Sequence, residues 1–360
     1  MSSARSSLSW SEATDNLAPQ RGRSAEEAAH TAGRMTWNCD LWPGTAPPNP
    51  LCAIGAAVPL EAVFPSARQA IAQSLAHAGH ATASRIGHPQ FVSACVPHAI
   101  KKVATPVSVR GKSPDDYTRL DGLLVHEQWG WPLPGDALAR VLERFSDRQL
   151  VIDRVDSADF FVRRIDHPNV VEVLSLSKTL GLLGGGLART SSRYGVFDSR
   201  AITPRTRHAL DGVASRLPGK AYREFFKNSD QAIHPAVAEW ALANSIVASL
   251  EQERRRRQCN VRLLQMSPLA DGWPHWMHAA IATGAAPDLA PVMRGRGPDV
   301  WAKVMRLLGQ EFGVASTICA FNWTGDPLDP DYEHCMLIPV HREVQHLGMV
   351  LQAIASLIRS

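Results

Sequence analysis

Apolar residues recur along the chain in two alternating periods, and the alternation predicts strands separated by helices. Short apolar runs at 150–152 and 171–174 are rich in β-branched residues and end abruptly in polar ones. Between such runs, apolar residues return at helical spacing, as in 138–145. Buried strands that alternate with helices are typical of a mostly parallel sheet covered on both faces, so we predict an α/β fold.

A lysine follows the second of these strands. In the stretch 171–189, VEVLSLSKTLGLLGGGLAR, the apolar run leads through Ser175 to Lys178 and then into a glycine-rich loop. Lysine is rarely buried without a partner, and removing its ammonium from water lowers its pKa. A buried Lys178 would therefore present a free amine that can form a Schiff base with a carbonyl. The alternative is a lysine whose side chain extends from the strand end into solvent.

An aspartate ends the preceding strand, since Asp153 directly follows the run 150–152. Ligands of open α/β sheets bind at the carboxyl ends of the strands, where both Asp153 and Lys178 are predicted to lie. This pair suits pyridoxal phosphate, because the lysine would hold the cofactor covalently and the aspartate would keep its pyridine nitrogen protonated. The hydroxyl of Ser175 would bond the cofactor phosphate. A plain Asp–Lys ion pair, or an N-cap role for Asp153, is the alternative.

These residues carry a family resemblance. Ser-x-Ser-Lys-Thr before a glycine loop, with a strand-end aspartate upstream, resembles the fold type I pyridoxal-phosphate enzymes. The chain over 64–358 is similar to the DegT/DnrJ/EryC1/StrS sugar aminotransferases, with further matches at 126–130 and 335–358. The resemblance implies an aspartate-aminotransferase-like large domain with a mixed, mostly parallel seven-stranded sheet and a smaller C-terminal α/β domain. It also implies pyridoxal 5'-phosphate as cofactor and a homodimer with active sites at the interface.

A predicted helix over 64–78 begins with Ser66, Ala67 and Arg68. The free N–H groups and positive dipole end of a helix N-terminus bind anions. By resemblance, these three residues would hold the cofactor phosphate, although the family carries glycine where this chain has Ala67. An ordinary capped helix is the alternative.

Two further cofactor contacts follow from the resemblance. The segment 91–109 is similar to a strand, helix, strand passage that carries the residue stacked on the cofactor ring. No aromatic residue occupies that place, and the candidates near the ring are Ser93, Cys95 and His98, with His98 as the stacking residue. Asp156 stands where the family carries Gln or His beside the phenolic oxygen of the cofactor.

The length of 360 residues allows two domains. We predict a disordered tail and an extended arm over 1–50, a large cofactor-binding domain over 51–230, and a small C-terminal domain over 231–360. A long apolar stripe in 235–264 predicts a helix that bridges the two domains.

Composition gives no indication of a nucleic-acid or membrane partner. The net charge is only +4, and the arginine run 254–257 is predicted to lie on a solvated helix face, as the segment 163–166 is predicted to lie at the surface. No apolar stretch approaches the roughly 20 residues of a membrane span. The six cysteines show no CxxC spacing, which favours reduced thiols in a cytoplasmic protein without a metal site.

The resemblance implies an aminotransferase of class EC 2.6.1. The donor would be an amino acid, glutamate or glutamine, and the acceptor a keto sugar or cyclitol in secondary-metabolite or polysaccharide biosynthesis. Lys178 would move the proton between substrate and cofactor. Two alternatives remain open: a decarboxylase, lyase or dehydratase that uses the same cofactor on an amino acid, and an inactive relative with a binding role.

Overall fold

The computed structural model describes residues 63–111, 113, 115–182, 184–190, 237, 245–314, 316–341, 344 and 346–359. The predicted tail and arm over 1–50 lie outside these residues, as do both predicted domain boundaries. Those boundaries therefore stay predictions.

The N-terminal half of the described chain is built on one seven-stranded sheet. The sheet order is β1-β7-β6-β5-β4-β2-β3. Strands β3, β2, β4, β5 and β6 run parallel, whereas β7 is antiparallel to both of its neighbours. This confirms the predicted mixed, mostly parallel sheet. The strands are β1 (Val63–Phe64), β2 (Arg85–Pro89), β3 (Thr105–Val109), β4 (Gly122–His126), β5 (Gln149–Asp153), β6 (Val170–Ser175) and β7 (Gly186–Thr190).

Helices cover both faces of this sheet. Successive residues of its central strands point to opposite faces, so each face carries apolar side chains that pack against helices. Val151 joins a core with Ile71 and Ile100 on one face, and Ile152 joins a core with Phe145 on the other. The described helices of this half are α1 (Ala67–His77), α2 (Cys95–Lys101), α3 (Asp115–Thr118), α4 (Gly135–Arg144) and α5 (Leu176–Leu180).

The C-terminal half packs around a smaller antiparallel sheet. Its strands β8 (Leu289–Val292), β9 (Thr317–Asn322) and β10 (Tyr332–Pro339) lie in the order β8-β10-β9. The described helices around it are α6 (Ile246–Gln265), α7 (His275–Ala282), α8 (Pro298–Glu311) and α9 (Leu347–Arg359). Trp131, from the loop before α4, is buried in the core of this second half, so the two halves pack directly on each other.

Helix α1 starts where the sequence predicts, with Ser66 as its N-cap, because the Ser66 hydroxyl accepts the N–H of Gln69 at 3.2 Å. The start of α1 lies against β7. A Cβ on Gly186 would stand 2.5 Å from the backbone nitrogen of Ala67, so only glycine allows this approach. The glycine loop after Lys178 therefore has a packing role as well as a conformational one.

One strand lies earlier than the sequence predicts. The passage placed at 91–109 has its first strand at Arg85–Pro89, and residues 91–94 lead into α2 instead. The strand was missed because it contains few large apolar side chains. At its centre is Gly87, and the side chains of Leu120 and Leu123 occupy the space that a side chain at this position would need.

Two predicted surface segments are partly buried. Arg257, in the arginine run on α6, is fully buried, although Arg255 and Arg256 are exposed as predicted. Arg163 is half-buried and pairs with Glu127 and Asp159. Each guanidinium pairs with one carboxylate four residues earlier in the chain and with one from a distant segment, Asp288 for Arg257 and Glu127 for Arg163, and the local sequence does not reveal the distant partner.

Four of the six cysteines lie among the described residues. Cys95, Cys259, Cys319 and Cys335 are free thiols. Among the described residues no cluster of His, Cys, Asp and Glu could hold a metal ion, and none of the described helices is long and apolar enough to cross a membrane.

We expect Gly186→Ala to lower the free energy of unfolding by about 1–3 kcal/mol, because the added methyl group would overlap the backbone at the start of α1. Gly309→Ala is the matched control: it lies inside α8 with open space around a Cβ, and it should stabilise the protein by up to about 1 kcal/mol. Urea unfolding monitored by circular dichroism measures both changes. Equal effects of the two substitutions would contradict the packing role of Gly186.

Candidate active site

Three neighbouring strands bring the predicted site together at one edge of the large sheet. β4 ends at His126, β5 at Asp153 and β6 at Ser175, and His126 is the register partner of Asp153. The turn after β5 carries Asp156, and the short helix α5 after β6 carries Lys178. Because these strands are parallel, their carboxyl ends meet at the same edge, as predicted.

Lys178 forms its ion pair with Asp156. The Lys178 Nζ lies 3.0 Å from one Asp156 carboxylate oxygen and 3.3 Å from the other. Asp153, the partner expected from the sequence, interacts with Lys178 electrostatically but makes no described hydrogen bond to it. Lys178 stands on a helical turn rather than on the strand itself, and from there its side chain reaches the turn after β5.

His126 is on the other side of the same carboxylate. Its Nε2 lies 4.0 Å from Asp156 Oδ2. The side chains of Lys178 and His126 keep 15% and 14% of their exposure, whereas Asp156 keeps 3%. The lysine and histidine side chains therefore keep a small exposed fraction, with the more deeply buried carboxylate between them.

The electrostatics of the lysine differ from the sequence prediction. Burial alone would lower the pKa of Lys178, but attraction to Asp156, Cys95 and Asp153 outweighs it and raises the pKa of Lys178 above its ordinary value. This arrangement favours the ammonium form of Lys178, whereas burial alone predicts a free amine.

The two aspartates shift in opposite directions. For Asp156, burial disfavours the charge, but Lys178 and His126 outweigh burial and lower its pKa to about 2. For Asp153, burial dominates and raises the pKa of its carboxyl above the ordinary value, despite attraction to His126 and Lys178. The edge thus holds one firmly ionised carboxylate beside one that takes up a proton more easily.

Ser175 fixes the turn that carries the lysine. Its Oγ accepts the backbone N–H of Lys178 at 3.4 Å and lies 2.9 Å from the Oγ of Ser177, and its carbonyl accepts the hydroxyl of Thr179 at 2.7 Å. Ser175 is therefore the N-cap of α5. Its predicted bond to a phosphate stays a prediction.

The start of α1 lies next to the glycine loop that follows Lys178. Ser66 forms an isolated bridge with Gly185, whose N–H donates to the carbonyl of Pro65 at 2.8 Å. The Gly185 carbonyl in turn accepts the N–H of Leu176 at 3.0 Å. Ser66 and Ala67 are thereby brought beside α5. Arg68, in the first turn of α1, is buried. Their role in phosphate binding stays a prediction.

Helix α2 presents a thiol toward the site. Cys95, its first residue, donates its Sγ–H to Ser93 Oγ at 3.0 Å and contributes to the raised pKa of Lys178. His98, three residues later, is exposed. The stacking role of His98 stays a prediction, and Cys95 is the candidate of this segment that interacts with Lys178.

A buried arginine of the C-terminal half reaches the site, and sequence reasoning missed it. Arg257 Nη1 donates to the backbone carbonyl of Asp156 at 2.7 Å. Its other nitrogens lie 2.7 Å from Glu253 and 2.8 Å from Asp288. Helix α6 thereby holds the turn that carries the Asp156 carboxylate. The only sequence signal is the i,i+4 spacing of Glu253 and Arg257, which is also common on exposed helix faces.

A second group of buried charges lies directly behind the site. Arg154 is fully buried and contacts three carboxylates. Arg163 and Arg189 add two further positive charges, so three cations balance three anions. Because every member is paired, this buried charge is tolerated. The three carboxylates belong to Glu127, Asp159 and Glu172.

Comparison with known proteins gives a match at the level of structure. No protein-family model matches the sequence, and no curated protein sequence matches it. The aminotransferase from Psychrobacter cryohalolentis superposes with a TM-score of 0.52 at 11% identity, over 82% of this chain and 86% of that one. The chain has the fold of this aminotransferase.

Two further solved structures share that aminotransferase fold. The aminotransferase TlmJ from Streptoalloteichus hindustanus matches at 16% identity with a TM-score of 0.51, over 83% of this chain and 86% of that one. Spr1654 from Streptococcus pneumoniae, a candidate sugar aminotransferase in its PMP form, matches at 14% identity with a TM-score of 0.51, over 82% and 86% of the two chains. The α/β fold type I architecture implied by the resemblance is thus confirmed.

The lowered pKa of Asp156 predicts how stability changes in acid. Because the folded-state pKa of about 2 lies below the ordinary value of 3.8, the ionised carboxylate stabilises the folded protein above pH 4, and this contribution is lost as the pH falls toward 2. It amounts to about 2 kcal/mol. We expect the free energy of unfolding of Asp156→Asn to fall by about 2 kcal/mol less than that of the wild type between pH 5 and 2. Urea titrations at several pH values measure this difference, and parallel curves would contradict it.

The position of Arg257 predicts a large effect of its removal. Arg257→Met should lower the free energy of unfolding by about 3–5 kcal/mol, because the carboxylates of Glu253 and Asp288 would lose their buried partner. The neighbouring Arg256→Met, at an exposed position of the same helix, should change it by no more than about 0.5 kcal/mol. Chemical denaturation compares the two variants. A similar small effect for both would show that Arg257 is not a required link.

Proposed function

We propose that the chain is a pyridoxal-phosphate-dependent aminotransferase of the DegT/DnrJ/EryC1/StrS kind. It moves an amino group from an amino-acid donor to a keto sugar or cyclitol acceptor, with glutamate or glutamine as the donors that the resemblance implies. One observation carries the proposal: Lys178 is held beside Asp156 and Asp153 at the carboxyl edge of the sheet, in a chain with the aminotransferase fold.

The residues at this edge fit the cofactor. An amine on a short helix, a buried aspartate and a helix N-terminus pressed against a glycine would supply the covalent link, the partner of the pyridine nitrogen and the phosphate site. In this proposal Lys178 and Asp153 fill the first two roles. The phosphate would be held by Ser175, Ser66, Ala67 and Arg68, and Asp156 and His98 would lie near the ring.

Lys178 is the residue that moves the proton in this proposal. When bound, pyridoxal phosphate supplies an electron sink for the electron pair released at the substrate carbon. Lys178 must give up its own proton before its amine can accept one, and attraction to Asp156 opposes that loss. His126, whose Nε2 lies 4.0 Å from the same carboxylate, would also lie near the reacting group.

Asp156 also supports a second candidate function. Its carboxylate is ionised, so this position carries a negative charge where the resembled family has a neutral or basic side chain. A different charge beside the cofactor is compatible with a decarboxylase, lyase or dehydratase that acts on an amino acid. Accumulation of pyridoxamine phosphate with an amino donor alone separates the two, because an aminotransferase forms it and a lyase does not. An inactive relative would bind no cofactor at all.

The assembly belongs to the same proposal. A homodimer with the active site at the interface and a cytoplasmic location are what the resemblance implies, and a small-molecule donor and acceptor are its partners. Light scattering of the purified protein tests the dimer directly.

Substitution of the lysine tests the function. We expect the wild type to retain pyridoxal phosphate with a visible absorption band, and Lys178→Ala to lose at least about 100-fold in transamination, because the proton-moving amine is gone. The control Lys303→Ala, at an exposed position of α8, should behave as the wild type. Absorption spectra with glutamate and with glutamine, followed by product analysis, make the measurement. Substantial turnover by Lys178→Ala, or a wild type that retains no cofactor, would contradict the proposal.

A further inference from the structure

A short segment of the C-terminal half, residues 286–288, is bonded to two turns at the carboxyl edge of the large sheet. Its Ala286 carbonyl accepts the N–H of Ala158, in the turn after β5, at 3.4 Å. Its Asp288 N–H donates to the carbonyl of Trp129, in the turn after β4, at 2.9 Å. The segment directly precedes β8, so the second half of the chain contacts both turns through backbone atoms.

Gly130 packs against this segment and against the turn after β5 at the same time. A Cβ on Gly130 would stand 2.5 Å from the backbone oxygen of Asp156 and 3.1 Å from the Cα of Pro287. Both neighbours are backbone atoms, which cannot rotate away as the end of a flexible side chain can. The φ of Gly130 is +83°, which glycine adopts readily and other residues rarely adopt. Only glycine therefore allows the two halves to approach this closely beside Asp156.

The turn that carries Gly130 has an uncommon conformation. Trp129 also has a positive φ, with φ 58° and ψ 25°. A residue with a side chain keeps such a conformation where the surrounding contacts fix it. Here the Trp129 carbonyl is bonded to Asp288, and the Gly130 N–H donates to the carbonyl of Glu127 at 3.0 Å. The contact of Gly130 with Asp156 is thus held in place from its own side.

The same Asp156 carbonyl is fixed from a second direction. Arg257 Nη1 donates to it at 2.7 Å, and another nitrogen of that guanidinium lies 2.8 Å from the Asp288 carboxylate. Arg257 therefore joins the carbonyl to the segment 286–288, which also contacts Gly130. The backbone of Asp156 is positioned by contacts that do not involve its own side chain.

The backbone position of Asp156 in turn controls the ion pair. Its carboxylate lies 3.0 Å from Lys178 Nζ, at the end of a short side chain. Because the attraction between two charges weakens with distance, a displaced Asp156 backbone would hold the ammonium less firmly.

We propose that Gly130 is a positioning residue for Lys178, which it affects by setting the place of the Asp156 carboxylate. As a statement about catalysis, the proposal rests on the proposed aminotransferase function, in which Lys178 moves the proton. As a statement about the ion pair, it does not.

Acetylation of Lys178 measures the ion pair, because the free amine reacts with acetic anhydride and the ammonium does not. Purified full-length protein is treated with hydroxylamine and then dialysed, so that no carbonyl compound remains on the lysine. It is labelled briefly at about pH 9, where an ordinary lysine is still largely protonated. Mass spectrometry then quantifies the tryptic peptide 165–189, in which Lys178 is the one lysine.

We expect Lys178 to react at least about 3-fold faster in Gly130→Ala than in the wild type, because the displaced carboxylate stabilises the ammonium less. Gly111→Ala is the matched control. Gly111 has a φ of +69°, and a Cβ there would stand 2.3 Å from Pro330 of the C-terminal half, so this substitution strains another contact between the halves away from Asp156. Lys178 should react in Gly111→Ala as in the wild type.

A double substitution shows whether Gly130 acts through the carboxylate. Asp156→Asn alone should raise the reactivity of Lys178 at least about 10-fold, and Gly130→Ala should add nothing in that background. A loosened structure that merely exposes the lysine would raise its reactivity by a similar factor with and without the carboxylate. That additivity, wild-type reactivity in Gly130→Ala, or an equal increase in Gly111→Ala would overturn the proposal.

Arg257→Lys tests the same contact if circular dichroism shows that Gly130→Ala does not fold. Its ammonium cannot reach the Asp156 carbonyl and both carboxylate partners of the guanidinium at once. Lys178 should therefore also react faster in this variant, and unchanged reactivity would overturn the proposal.

Acetylation needs neither cofactor nor turnover, so the two proposals fail separately. A wild type that retains no cofactor would contradict the proposed function, and the labelling would still decide the role of Gly130. Unchanged labelling in Gly130→Ala would remove that role even in an active aminotransferase.

Discussion

The ion pair between Lys178 and Asp156 is the interaction on which the geometry of the sheet edge depends. Either charge alone would be costly at a position so far removed from water, and together they compensate each other. The pair raises the pKa of the lysine and lowers that of the aspartate, so both remain charged where burial alone would neutralise them. Arg257 holds the Asp156 carbonyl from the C-terminal half, so the pair also depends on how the two halves pack.

Residues that are adjacent in the chain belong to two different groups: one lies in the candidate site, and the other lies among the buried charges behind it. His126 and Asp153 take part in the electrostatics of the site, whereas the next residues, Glu127 and Arg154, belong to the balanced group of buried charges behind it. Side chains on neighbouring positions of an extended chain point in opposite directions, which accounts for this division. The carboxyl edge of the sheet is thus backed by a group of buried ion pairs.

Local patterns predicted much of the fold. The strands that end at Asp153 and Ser175, the helix that starts after Ser66 and the helix predicted from the spacing over 138–145 all lie close to where the sequence places them. Their signals are apolar periodicity and capping residues, which act within a few residues. The strand Arg85–Pro89 was missed because its burial comes from neighbours such as Leu120 rather than from its own side chains.

The sequence by itself determined the fold class and the identity of the residues at the sheet edge, because strand ends, glycine loops and helix caps depend on residues that are close together in the chain. Only the tertiary structure decided how those residues are paired. It placed Asp156 rather than Asp153 against Lys178 and buried Arg257 in a run whose other arginines keep more exposure. Pairing, burial and charge state depend on groups that are distant in the chain, so no local pattern contains them.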